Sequence, residues 1–279
     1  MLVHAPAKLN LCLYLGAVRE DGLHDLCSLF EPLALADLIA VAPAERDEVI
    51  CPRVEGENLA ARALAGLRKR GWDREPLRIE IEKRVPVAAG LGGGSGDAAA
   101  VLRLAAGEVA DLPQLAAELG ADVPSQLRPA LALVQGAGER IEPLPEPAEH
   151  AAVLLPGGGG LSTAAVFAEA DRLGLGRGPA ELEELAARLR EVAGTGASPL
   201  SYPELLVNDL EPAALSLRPD IGEELQALRA AGAPQAILSG SGPTAVGLFP
   251  DLAAAAAAAA SLDAGEAIVC AAGHARLPS

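Results

Sequence analysis

The sequence predicts an α+β fold in two units. Three observations carry this. Strand-like and helix-like segments are mixed without the strict alternation of a doubly wound sheet. The chain has 279 residues, enough for about two domains. Near its middle, Glu142–His150 reads EPLPEPAEH, a proline- and glutamate-rich stretch typical of a surface connection. The boundary is placed there, giving units 1–147 and 148–279.

The elements follow in order. Leu9, Leu11, Leu13 and Leu15 alternate with Asn10, Cys12 and Tyr14, the period of a strand. Ser28–Val41 and Leu77–Lys83 also read as strands, the second a clean alternation. Asn58–Arg70, Asp97–Val109 and Leu112–Leu119 read as helices, the last stopped by Gly120. In the second unit come a strand at Ala151–Leu155, helices near Ala164–Leu173, Ala180–Val192 and Ile221–Ala231, and a hairpin-like segment at Ala236–Phe249. Gly194–Pro203 reads as an exposed loop. The alanine run Ala253–Ala260 predicts a helix close-packed on a sheet.

Composition narrows the function. With 22 basic and 38 acidic residues the formal charge is −16, which repels nucleic acid and anionic membranes. Aromatic residues at 2% leave no stacking platform for single strands. Lys8 and Asn10 interrupt the apolar start, so no secretion signal is read there, and no stretch reaches the length of a membrane span. A cytoplasmic protein is expected, with neither nucleic acid nor membrane as partner, either a monomer or a weak homodimer. Cys12, Cys27, Cys51 and Cys270 have no metal-ligand spacing and no adjacent histidine partner. They are expected to be reduced, with Cys12 a small core filler and no metal held by side chains.

The most informative segment is PVAAGLGGGSGDAAA at Pro86–Ala100. Five of the seven residues from Gly90 to Gly96 are glycine, between a strand and a helix. Glycine lets backbone N–H groups approach a ligand, and a helix N-terminus adds unpaired donors and a positive dipole end. Together they make a cradle for phosphates. The alternative is a turn with Ser95 or Asp97 as helix cap. No Gly-Lys-Ser/Thr follows, and no acidic residue ends a clear second strand, so neither a Walker A loop nor a dinucleotide fingerprint is present.

Three segments, APAKLNLCLYL at Ala5–Leu15, VPVAAGLGGGSGDAAA at Val85–Ala100 and LSGSGPTAVGLF at Leu238–Phe249, resemble the three motifs of the GHMP small-molecule kinases. DGLHDLCSLFEPL at Asp21–Leu33, ENLAARA at Glu57–Ala63, LGADVPSQL at Leu119–Leu127 and NDLEPA at Asn208–Ala213 resemble the member that phosphorylates a cytidine diphosphate derivative. The resemblance implies an N-terminal domain with a left-handed βαβ unit, a ferredoxin-like C-terminal domain and a cleft between them. It implies ATP and Mg²⁺ as cofactors, and phosphorylation of an alcohol on the methylerythritol phosphate route to isoprenoids.

It also implies site residues. Lys8 and Asp122 form the catalytic pair, Asp122 accepting the hydroxyl proton and Lys8 holding it ionised. Read alone, Asp122 is first a helix cap, and Lys8 is equally a surface strand lysine. Pro86, Val87, Ala88, Ala89, Gly90, Leu91, Gly92, Gly93, Gly94, Ser95 and Gly96 wrap the ATP phosphates, and Asn58 and Lys83 contact the adenosine. Lys83 alone reads equally as a solvated strand end. Asn10, His24, Thr163 and Phe167 contact the substrate, with neutral His24 both donating to and accepting from cytosine. Phe167 reads equally as core packing. Two positions depart from the family pattern: Leu23 stands where a tyrosine usually stacks on the base, and Gly96 where a second serine is common. Gly96 is expected to keep its N–H available to phosphate.

Other members of the family, of homoserine or mevalonate type, and a catalytically silent nucleotide sensor are the alternatives. Lys8 with LGADVP speaks against homoserine kinase. The presence of both Lys8 and Asp122 speaks against a silent sensor.

Overall fold

The computed structural model describes residues 1–54, 56, 58–262 and 267–272. Glu57, which opens one of the segments above, lies outside them, as does the tail beyond Ala272. The first half runs β1 (Leu2–Val18), β2 (His24–Pro43), β3 (Glu48–Ile50), α1 (Leu59–Lys69), β4 (Leu77–Glu82), α2 (Gly93–Arg103), α3 (Leu112–Leu119), α4 (Val123–Gln126), β5 (Ala132–Gly136) and β6 (Arg140–Pro143). The second runs β7 (His150–Leu155), α5 (Thr163–Leu173), α6 (Pro179–Ala193), α7 (Glu211–Leu217), α8 (Asp220–Ala230), β8 (Gln235–Leu238), β9 (Ala245–Phe249), α9 (Leu252–Ser261) and β10 (Ile268–Ala272).

The strand β2 organises the first half. It pairs with β1 along most of its length, with β5 near its start and with β4 near its end, all antiparallel. β3 and β4 are parallel and joined through α1, a βαβ unit. In β4 the predicted alternation holds: Leu77, Ile79 and Ile81 face the core and Arg78, Glu80 and Glu82 face water. In the second half β7, β8, β9 and β10 form an antiparallel sheet in the order β10-β7-β9-β8, the ferredoxin-like arrangement. One pair, Ala272 with Leu33, joins the two sheets.

Apolar packing follows this plan. α1, α2 and α3 cover one face of the first sheet around Leu67, Trp72, Ile79 and Leu102. A second cluster runs from Leu9, Leu11 and Leu29 to Leu154, Val246 and Leu248, so both halves share it. α9, the alanine helix, buries Ala255 and Ala258 against the second sheet, as its composition predicts. Cys12, Cys27 and Cys270 are buried free thiols, and burial pushes Cys27 and Cys270 up to about 12.

Two expectations are corrected. Gly194–Pro203 is not an exposed loop throughout: Pro199 and Tyr202 are buried, and two short 3₁₀ turns follow one another at Pro199–Ser201 and Pro203–Leu205. Tyr202 packs into the shared cluster, an apolar contact that the Gly/Ser/Pro composition conceals. The helix expected over Asp97–Val109 is α2, which starts earlier at Gly93 and ends at Arg103. The glycine run therefore forms the first turn of the helix and does not merely precede it. Among the described residues, no helix is long and apolar enough to cross a membrane.

Candidate active site

Lys8 and Asn10 lie two residues apart on β1 and so face the same side. Register irregularities between Pro6 and Lys8 and between Asn10 and Cys12 bracket the pair. Such bulges re-aim side chains. Both residues are buried, and a hydrogen-bond chain fixes them. Lys8 Nζ donates to Asn10 Oδ1 (2.5 Å), Asn10 Nδ2 donates to Ser28 Oγ (3.0 Å), and Ser28 Oγ donates to the Cys12 carbonyl (2.5 Å). The Lys8 ammonium also sits 4.7 Å from the centre of the Phe30 ring.

Asp122 stands immediately before α4 but makes no side-chain capping bond. Its Oδ2 lies 3.2 Å from Lys8 Nζ. The cap reading, the first one for Asp122 taken alone, is therefore not the one the structure adopts. The carboxylate is partly open to the cleft while the ammonium behind it is buried.

The glycine run is held from three sides. The Lys8 N–H donates to the Leu91 carbonyl (2.9 Å), Ser239 Oγ to the Gly90 carbonyl (3.2 Å) and Thr244 Oγ1 to the Ala89 carbonyl (2.6 Å). Gly90 and Gly92 have φ of 75° and 67°, the left-handed region that favours glycine. A Cβ on Gly90 would stand 2.7 Å from the Gly242 carbonyl oxygen, so the loop fits against the Leu238–Thr244 turn only without a side chain. Gly92 caps α2 through its backbone, so neither Ser95 nor Asp97 is the cap. The N–H groups of the first helical turn, Gly93 to Ser95, have no intrahelical acceptor. Gly96 differs from its expectation. Its N–H donates to the Gly92 carbonyl (2.8 Å), and its missing Cβ lets α2 approach the Pro6 carbonyl.

Lys83 is not a solvated strand end. It is buried, bonded to Asp37 and, at 2.8 Å, to Asp97 on α2. Burial alone lowers its ammonium, but the two carboxylates outweigh that and hold it above the ordinary lysine value. Burial pushes Asp97 up to about 7 despite Lys83 beside it. Asp37 also accepts the N–H groups of Arg84 (2.6 Å) and Val85 (2.8 Å), so this cluster pins the strand end that feeds the glycine loop. Asn58 caps α1, its Oδ1 accepting from the Ala60 N–H (2.8 Å).

Two cavities meet at the loop. A groove of about 330 Å³ runs between Asn58, Lys83 and Gly90–Ser95. A cleft of about 780 Å³ lies between the halves. Lys8, Asn10 and Asp122 line one end of it, and His24, Phe167 and Asp171 line another part. Gly90, Gly92 and Ser95 line both cavities, so the loop is their common wall. Thr163 joins the cleft with its Oγ1 2.9 Å from Ser241 Oγ. Phe167 faces the cleft 5.2 Å from the His24 ring, so it is more than core packing. Leu23 is half exposed at the rim.

His24 lines the cleft, and its ring nitrogens also meet protein groups. Nδ1 lies 3.2 Å from the Gly16 carbonyl and Nε2 3.4 Å from Asp171 Oδ1, so both ring nitrogens already face protein acceptors. Ser28, Asp37, Asp97, Asp171, Asn208, Ser239 and Thr244 had no site role in the sequence reading, although Ser28, Asp97, Asn208, Ser239 and Thr244 stand within its quoted motifs. Asn208 was legible only as part of NDLEPA; its Nδ2 donates to the carbonyls of Leu238 (2.8 Å) and Gly240 (2.7 Å), setting the turn that backs the loop.

Residues 58–128 match the family model described as GHMP kinases N terminal domain, and residues 182–267 match GHMP kinases C terminal. The 4-diphosphocytidyl-2-C-methyl-D-erythritol kinase of Kineococcus radiotolerans is 40% identical over 263 residues, covering 86% of this chain and 78% of that protein. The protein of the same name from Anaeromyxobacter dehalogenans is 42% identical over 260 residues, covering 88% and 80%. A solved 4-(cytidine 5'-diphospho)-2C-methyl-D-erythritol kinase superposes with a TM-score of 0.81 at 36% identity, over 99% of this chain and 100% of that one. Homoserine kinase from Cytophaga hutchinsonii superposes at 0.68 with 18% identity, over 98% and 95%, a likeness of fold alone. The chain belongs to the GHMP kinases. Membership of a kinase family implies ATP as the phosphoryl donor.

Proposed function

We propose that the chain is an ATP-dependent kinase that phosphorylates the 2-hydroxyl of 4-diphosphocytidyl-2-C-methyl-D-erythritol, a step of isoprenoid biosynthesis. The observation that carries this reading is the shared wall. A nucleotide in the groove places its terminal phosphate on the α2 N-terminus, and an alcohol in the cleft lies on the other side beside Asp122. The relatives that share about two-fifths of the sequence bear this kinase's name.

The proposed chemistry follows from the charges. Phosphoryl transfer passes through a loose, highly charged transition state and depends on positioning and electrostatics. Asp122 orients the hydroxyl and accepts its proton. Lys8, 3.2 Å away and fixed through Asn10 and Ser28, keeps that carboxylate ionised and faces the charge on the transferring group. The free N–H groups at Gly93–Ser95 hold the phosphates, while Asn58 borders the adenosine. Lys83, on the groove wall beside the adenosine, also holds the loop through Asp37 and Asp97. Thr163 and Phe167 line the substrate side.

No cluster of three or more metal-ligating side chains occurs among the described residues. Magnesium binds ATP sites through phosphates and one or two protein oxygens. Ser95, on the wall that the groove and the cleft share, is an oxygen donor of that kind and would hold the ion together with the phosphates. When bound, it neutralises charge on the phosphates. The units of the fold are taken as 1–147 and 148–279, with the reacting atoms between them.

A coupled ADP-release assay with the cytidine diphosphate substrate, homoserine and mevalonate tests the reading. Turnover with the first alone is expected. Turnover with either of the others at comparable kcat/KM overturns the substrate, and no ADP release with any overturns the kinase.

A further inference from the structure

We infer that Asp171 selects the base of the nucleotide substrate, its carboxylate accepting the exocyclic amino group of cytosine and rejecting the O4 of uracil. The inference rests on the substrate reading above.

Helix α5 supplies the geometry. Thr163, Ala164, Phe167, Ala168 and Asp171 recur at three- and four-residue spacing, so they form one face, and all of them line the cleft. Thr163 at the helix start touches Ser241 beside the glycine loop, and Asp171 near its end touches His24. Eight residues of helix separate them, about 12 Å. The face thus runs from the reacting end of the cleft to the end bounded by His24 and Phe167.

At that far end few side chains can read a base edge. Leu23, Leu26, Phe167 and Ala168 offer only apolar surface. The His24 nitrogens face Gly16 and Asp171. Asp171 is different. Its Oδ1 meets His24, while Oδ2 has no partner among the described residues, and its side chain is half exposed to the cleft. An ionised carboxylate is acceptor-only. Cytosine and uracil differ on this edge by a donor against an acceptor, N4–H₂ against O4. A carboxylate there pairs with the amino group and opposes the carbonyl oxygen. The His24 ring, 3.4 Å from Oδ1 and tilted 45° to Phe167, stands on one side of the Asp171 carboxylate.

Calorimetry with CDP and UDP tests this without turnover, beside kcat/KM for the cytidine and uridine forms of the substrate. A hydrogen bond to a charged group at a half-exposed site gives roughly tenfold discrimination. The wild type is expected to prefer the cytidine form by about that factor or more. Asp171→Asn, whose amide can turn either its oxygen or its NH₂ to the base, should bring the ratio within about twofold of unity, with the KM for ATP unchanged. Asp171→Ala should do the same, which separates base selection from any effect of the amide. A cytidine-to-uridine ratio in both variants equal to that of wild type overturns the assignment and leaves the kinase reading standing. A wild type that phosphorylates neither form overturns the substrate reading and this inference together.

Discussion

The two ends of the cleft are built by opposite means. At the phosphate end nearly every contact runs through backbone or through buried charge: the glycine N–H groups, the Lys8–Asn10–Ser28 chain and the Asp37–Lys83–Asp97 cluster. At the base end the wall is a helix face of separate side chains, with Leu23 and Asp171 half open to water. Phosphate chemistry tolerates little displacement, because a misplacement of about 1 Å in a reacting group can cost about a hundredfold. Base recognition needs only shape and one or two oriented polar groups. The difference teaches where substitution should be catastrophic and where it should tune.

The largest effect should come from removing the base. Asp122→Asn keeps the shape of the cleft and is expected to lower kcat by about 10²–10⁴-fold, with circular dichroism and thermal midpoint unchanged. A kcat within threefold of wild type would falsify the role of Asp122. Lys8→Ala should also lower kcat strongly while the KM for ATP moves less, because the ammonium is fixed on Asp122 and Asn10. If only ATP affinity fell, Lys8 would be a phosphate anchor and the phosphate end would reach further into the cleft.

Next in size is the loop itself. Gly90→Ala forces a Cβ to 2.7 Å from the Gly242 carbonyl and holds alanine at a φ of 75°. The conformation alone costs about 1–2 kcal/mol. A tenfold or greater fall in kcat/KM for ATP is expected. Gly93→Val should fail for another reason: Gly93 is helical, and its Cβ would meet Val85 at 3.0 Å and the Lys83 ammonium at 3.1 Å. Calorimetry showing wild-type ATP affinity in both variants would remove the cradle.

At the other end the effect should be smaller and of opposite sign. Leu23→Tyr places a ring at the exposed rim, where base stacking is worth about 1–3 kcal/mol in single-strand sites. The KM for the cytidine substrate should fall, or stay level where Phe167 already covers the base, with ATP kinetics unchanged. A sharp rise would mean that the rim has closed on the pocket.

This contrast also explains what the sequence disclosed. Strand periodicity exposed β4, and the glycine run exposed the cradle, because both are local patterns. The start of α2 was misplaced because Gly92, Gly93, Gly94 and Gly96 suppress helix propensity, while three of them make close approaches in the fold, Gly92 to Lys8, Gly93 to Lys83 and Gly96 to Pro6. Asp37, Asp97 and Lys83 are 46 and 14 residues apart along the chain, so no spacing rule joins them. Asp171 sits in EADRL, an ordinary solvated helix surface by composition. Only the fold shows that the face opposite Glu169 lines a cleft.

The smallest effect should fall on the junction that holds the two ends in register. Glu31 on β2 and His150 at the start of β7 are fully buried and 3.1 Å apart. His150 Nδ1 lies 3.0 Å from the Ala148 carbonyl, so both ring nitrogens face acceptors and both must donate. Only the imidazolium can do so. Burial lowers the His150 value, but Glu31 outweighs it and the value stands above the ordinary one. The sign follows. The stabilisation is complete below the unfolded histidine value of about 6.5 and is lost as pH rises through the raised folded value. Above that value Glu31 is left buried without its cation, and its Oε1 already has no partner. Thermal midpoints from pH 6 to pH 9 should therefore fall more steeply for wild type than for Glu31→Gln, where the charge coupling is absent. At roughly 2–4 °C per kcal/mol, the divergence should be a few degrees. Parallel curves would mean that His150 stays neutral. The junction would then be held by packing alone, through Tyr14, whose hydroxyl donates to the Leu205 carbonyl at 2.8 Å, and the apolar cluster around it.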